Sequence, residues 1–215
     1  MEFNLNTIEA RVLGCLIEKE LATPEYYPLT LNALTSACNQ KSNRAPVLAL
    51  GESDVQQALD SLRRRQFAHV SAEGVRSVKY CHNLEGLLKL EPSELAVLAE
   101  LLLRGPQTLG ELRSRAARMH PFADLAEVDE SLQALLGRDE PLVAKLARQP
   151  GRKESRYAQL LGGMPEVNEG ASDTPLSEQT SQQDRIAALE SEMANLRRDF
   201  EAMQKDLAQF KAQFE

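Results

Sequence analysis

Apolar side chains at Leu5, Val12, Leu13, Leu16 and Ile17 follow three- and four-residue steps, which predicts an amphipathic helix opened by Asn6 with Glu9 as capping-box partner. The pattern returns 85 residues later at Leu90, Val97, Leu98, Leu101 and Leu102, and Gly105-Pro106 supplies its stop. A second segment repeats at an offset of 78, Pro28 to Leu34 against Pro106 to Leu112, with Thr30 and Thr108 as N-caps of a short helix. A third helix is expected to start at Ser53, with Gln56 as box partner, and to bury Val55, Ala58, Leu59 and Leu62; Val128, Ser131, Leu132 and Leu135 repeat it. Strand-like runs then follow in both copies: Phe67 to Val70 and Val75 to Cys81 around Glu73-Gly74, and Leu142 to Leu146 and Ser155 to Ala158 around Pro150-Gly151.

Three short helices and a β-hairpin within about 80 residues is the layout of a winged helix, a helix-turn-helix variant. The expected fold class is therefore mainly α with small β-hairpins (α+β), with two tandem winged-helix domains at residues 4–86 and 87–162. Residues 163–183 are polar, interrupted by Pro and Gly, and read as a flexible linker. Beyond it, Ile186, Leu189, Met193, Leu196, Phe200, Met203, Leu207, Phe210 and Phe214 keep strict 3-4 spacing, which predicts a coiled-coil helix over 184–215 and a dimer formed through it. The pairs Glu192 with Arg197, Asp206 with Lys211 and Arg185 with Glu190 favour parallel strands.

The chain has 215 residues and a net charge of −7, and 42% of its residues are hydrophobic, which is ordinary globular composition. The charge is uneven: residues 1–86 sum to −1, residues 87–163 to 0 and residues 164–215 to −6. The folded part thus lacks a strongly basic footprint, and any nucleic-acid site must come from local clustering. Nothing resembles a signal peptide or a membrane span, and Cys15, Cys38 and Cys81 fit reduced thiols, so a soluble cytoplasmic protein with no membrane partner is expected.

The strings L-N-T-I-E-A-R-V-L-G-C-L-I-E-K and T-P-E-Y-Y-P-L-T-L-N-A-L, and above all A-C-N-Q-K-S-N-R-A-P from Ala37 to Pro46, make residues 4–162 similar to the YceH family of uncharacterised bacterial proteins. The resemblance implies a tandem winged-helix fold in a bacterial cytoplasm and no established activity.

Phosphate-loop, dinucleotide-binding, zinc-protease and nucleophile-elbow motifs do not occur. No cofactor is expected, nor a metal site, because Cys81 and His82 would point to opposite faces of a strand; a buried Cys81 and a surface His82 are the expectation. The loop Asn39 to Arg44 admits two readings: Lys41, Asn43 and Arg44 contact phosphates and bases, or the loop satisfies its own backbone. On the third helix, Gln56, Gln57, Asp60, Ser61, Arg63 and Arg64 are left facing outward. With Arg65, and with Arg76 and Lys79 on the wing, they form the best basic cluster, although Arg63 to Arg65 also suit a helix C-terminus. The second copy exposes Glu127, Asp129, Glu130 and Gln133 instead and is a poor reader of DNA. The expectation is a non-enzymatic dimer that binds DNA through its first domain; the alternative is a protein-interaction scaffold in which the paired domains dock onto a larger assembly.

Overall fold

A computed structural model describes residues 3–72, 77–148 and 154–163. The chain divides into two compact units, Met1–Glu166 and Val167–Glu215, and every described residue belongs to the first. The predicted coiled-coil positions, the linker beyond Gly163, both predicted hairpin turns and Arg76 lie outside the described residues.

Helix α1 (Thr7–Ala22) begins where the sequence places it: the Asn6 side chain accepts from the Ile8 and Glu9 amides, and Glu9 accepts from the Asn6 amide at 2.9 Å. A 3-10 turn at Pro24–Tyr26 leads to β1 (Leu29–Thr30), and the Thr30 hydroxyl caps α2 (Leu31–Cys38). The N-cap of helix α3 (Glu52–Arg64) lies two residues earlier than the Ser53–Gln56 spacing implies. The Asp54 carboxylate reaches back to the Gly51 amide at 2.9 Å, which makes Gly51 the N-cap. Strands β2 (Ala68–Val70) and β3 (Lys79–His82) pair antiparallel, and β1 lies along the other edge of β3.

A short helix α4 (Leu84–Leu88), which the hydrophobic pattern does not reveal, connects to the second copy. There α5 (Pro92–Arg104), α6 (Leu109–Ala116) and α7 (Leu125–Leu136) precede β4 (Val143–Lys145) and β5 (Tyr157–Gln159). Gly105 has φ 74°, the left-handed region that closes α5 at little steric cost to glycine. The repeat extends to the sheets, since Gln107 bridges Tyr157 much as Leu29, 78 positions earlier, pairs with Tyr80. The described fold is thus α+β: seven α-helices with one three-stranded and one two-stranded antiparallel sheet.

The two copies share one hydrophobic core, because α1 packs along α5. Gly14 permits this approach: a Cβ there would lie 3.0 Å from Leu102 and Leu103 side-chain atoms. The sequence expectation for Cys81 and His82 is reversed. His82 is buried, because its Nδ1 accepts from the Leu84 amide at 3.3 Å and its Nε2 faces the Glu20 carboxylate, whereas Cys81 is half-exposed. No described helix is long and apolar enough to cross a membrane.

Candidate nucleic-acid interface

Helix α3 is divided lengthwise. Val55, Ala58, Leu59 and Leu62 face the core, which leaves Ser53, Gln57, Asp60, Ser61 and Arg64 on an outward stripe set by the 3.6-residue repeat. Gln57, Arg63 and Arg64 are exposed. Arg63 lies 3.2 Å from Asp60, with both side chains more than 40% exposed, so solvent screens that pair. Arg64 has no hydrogen-bond or ion-pair partner among the described residues and lines two clefts. One, of about 430 Å³, runs between α3 and the start of α1; the other, of about 550 Å³, separates the end of α3 from β2.

Other predicted contacts are engaged within the protein. Gln56 is half-buried, accepting from the Tyr80 hydroxyl at 3.2 Å and donating to Asp60 at 3.1 Å. Arg65 is half-buried as well, 3.4 Å from Glu9 and with its guanidinium 5.3 Å from the centre of the Phe67 ring. Lys79 is half-buried on β3, and Lys41 is exposed in the loop after α2.

Of the two readings of that loop, the structure follows the inward one. Arg44 is not at the surface. All five of its N–H groups have acceptors: the Ala37 and Asn43 carbonyls, Gln40, and both oxygens of Glu18, the shorter of these at 2.5 Å. Neither charged side chain of the pair has any exposure. Asn43, half-buried with φ 58°, accepts from Arg104, and Asn39 clamps the loop by bonding the Leu50 amide and carbonyl at 2.7 and 2.8 Å. Arg11 donates to the Cys38 and Pro46 carbonyls. The segment from Ala37 to Pro46 is therefore a structural plug, and Arg44 leaves the set of candidate contacts, with Asn43 turned toward α5.

Burial pushes the Glu18 carboxyl up, but the bonds from Arg44 and the charges of Arg44, Arg118 and Lys19 outweigh it and hold Glu18 below the usual carboxylate range. Arg118, just past α6, also bonds Glu18, so one carboxylate joins the two copies. Glu100 on α5 goes the other way: burial raises its carboxyl, opposed mainly by Arg104.

The second copy offers less to an anion. Arg113 donates to the Ala123 carbonyl, Arg115 to Gln107 and Arg156 to the Pro106 carbonyl. Helix α7 leaves Glu130 and Gln133 exposed and Glu127 and Asp129 half-buried. Elsewhere, a cleft of about 320 Å³ is lined by Glu20, Tyr27, His69, Cys81 and His82 among others, and the His82 amide donates to the Tyr27 hydroxyl at 2.8 Å. Among the described residues no group of three or more His, Cys, Asp or Glu is placed to hold a metal ion.

Residues 5–152 match the family model described as a protein of unknown function, DUF480. The chain is 59% identical over 219 residues to a UPF0502 protein of Geobacter metallireducens and 58% identical over 219 residues to one of Pelobacter propionicus, with all of both chains covered in each comparison. A further relative, the UPF0502 protein GSU0233 of Geobacter sulfurreducens, is 56% identical over 219 residues, again end to end.

Proposed function

The chain belongs to the DUF480 family, whose description names no activity, and from that premise we propose that it is a non-enzymatic, cytoplasmic DNA-binding protein. On this reading each copy is a winged helix and the first makes the contact, with α3 as the helix that enters the major groove. The observation that carries it is the outward stripe of α3. Gln57, Ser61 and Arg64 lie on one face of a helix whose opposite face is core, and Arg63 and the β2–β3 strands stand at its C-terminal end. Gln reads adenine edges, and Arg reads guanine or phosphate. Ile186 to Phe214 would pair two copies and so set the spacing of two half-sites.

A mobility shift with random-sequence duplex at two salt concentrations tests the reading. Each phosphate contact adds about 0.9 to the slope of log affinity against log salt. Arg64→Ala is expected to weaken binding and flatten that slope by about one unit, while substitutions of Glu127 and Glu130 leave binding unchanged. Sedimentation equilibrium of the intact chain and of residues 1–163 tests the pairing, with a dimer and a monomer as the expected results.

The second reading, a protein-docking scaffold, has its own observation. Asp60 balances Arg63, and Arg115, Arg118 and Arg156 are held by partners in the protein, so few cations are left for phosphates. It predicts no shift at either salt concentration.

A further inference from the structure

The first sheet has the order β1-β3-β2, so β2 is an edge strand. Its register pairs Ala68 with His82, His69 with Cys81 and Val70 with Tyr80. The Ser71 amide donates to the Lys79 carbonyl and the Asn83 amide to the Phe67 carbonyl, both at 2.9 Å. In an antiparallel ladder these fix positions 67, 69 and 71 as the residues that bond β3, so the N–H and C=O groups of Ala68 and Val70 turn to the opposite side, where no described strand lies; Ala68 is buried there and Val70 is exposed. That side is the cleft of about 550 Å³ whose other wall is Asp60, Arg63 and Arg64 of α3.

Natural edge strands are usually protected by proline, by a lysine on the edge or by a covering element. Here His69 and Val70 are the exposed residues of the strand, Val70 at 40%, and two guanidiniums stand across the cleft on the helix.

We infer that the outer edge of β2 takes up an extended peptide as a further strand, and that the peptide carries acidic side chains at alternate positions. Strand addition satisfies the outward amide and carbonyl of Val70, and the two-residue period of a strand directs every second side chain toward α3. Two guanidiniums there face one carboxylate, and Arg64 has no partner among the described residues, so the complementary side chain is Asp or Glu. A nucleic-acid backbone fits less well, because phosphates are acceptors only and leave the Val70 carbonyl unmatched. The inference stands apart from the DNA reading, although it shares Arg63 and Arg64 with it.

The test pans a displayed library of random linear heptapeptides on the full chain, with Val70→Pro as the counter-bait. Proline removes the outward N–H without touching a bond to β3, which is the one place an edge strand tolerates it. Enriched peptides are expected to carry Asp or Glu at alternate positions. By fluorescence anisotropy, synthetic copies should bind at least tenfold more weakly to Val70→Pro and to the Arg63→Ala, Arg64→Ala double variant, with less than threefold change for Glu130→Ala on the second copy. N-methylation of alternate peptide amides should also weaken binding at least tenfold; this applies the same test from the ligand side if the proline variant does not fold. Equal enrichment on both baits, motifs without alternating acids, or indifference to N-methylation would each overturn the inference. So would binding of a duplex oligonucleotide that Val70→Pro abolishes, because the edge would then be a nucleic-acid contact.

Discussion

Replacing Glu18 with alanine removes the acceptor for two of the five N–H bonds of Arg44 and leaves a guanidinium without exposure and without a counter-charge. Removing one partner of a buried pair costs about 3–5 kcal/mol, far more than an exposed pair is worth, because the remaining charge keeps its desolvation penalty. In a unit of this size each kcal/mol lowers the melting midpoint by about 2–4 °C, so a drop of about 6–20 °C is expected in circular-dichroism melts at neutral pH. Arg118→Ala, which removes a partner that is 38% exposed, should lower it by much less. The double variant Glu18→Leu, Arg44→Met takes out both charges and should recover part of the loss. The pH dependence follows from the depressed carboxyl of Glu18. Its stabilisation is fully present above the ordinary glutamate value of about 4.3 and is lost as pH falls through the lower folded-state value, so wild type and Glu18→Ala should converge in acid. A loss below about 1 kcal/mol at neutral pH, or a double variant as unstable as Glu18→Ala, would refute a charge-based account.

Gly14→Ala should destabilise by a net of about 1 kcal/mol, since overpacking α1 against α5 outweighs the gain in helix propensity; urea midpoints of the pair measure it. Glu100→Gln should raise the melting midpoint above neutral pH and leave it unchanged well below pH 4, because a carboxyl raised by burial destabilises only once the pH favours ionisation; melts across pH 3–9 check the sign. In the native protein a thiol reagent should modify Cys81 well before Cys15 and Cys38, which react only on unfolding, as mass spectrometry of time points would show.

Local signals in the sequence proved sound where their chemistry is local. Asn6 with Glu9, Thr30 and Thr108 cap the helices the hydrophobic spacing predicts, since each bond spans three residues or fewer. The Gly51 cap was missed for the Ser53–Gln56 spacing, because glycine has no side chain to announce a cap and the bond is made by the Asp54 carboxylate to the Gly51 amide. The loop after α2 was undecidable from its own residues: the partner that turns Arg44 inward is 26 positions earlier, and Arg118 comes to the same carboxylate from 100 positions later. A trace of it is visible in hindsight, since Arg11 and Glu18 lie seven residues apart in a helix whose neighbouring positions are core. The β2 edge left no periodic mark at all, because the exposure of a three-residue strand depends on which neighbours its sheet has. For the candidate site, the outward residues of α3 were legible from the apolar stripe, but which of its cations are already paired was not.

The close seating of α1 on α5 has a consequence for whatever the protein meets. With one core beneath both copies, α3 packed on α1 and α7 packed on α5 are held in fixed relation by packed helices instead of by a tether. A partner that touched both helices would have to match their fixed spacing in its own dimensions. In return it loses no entropy in gathering two loose modules, as it would from a pair joined by a flexible chain.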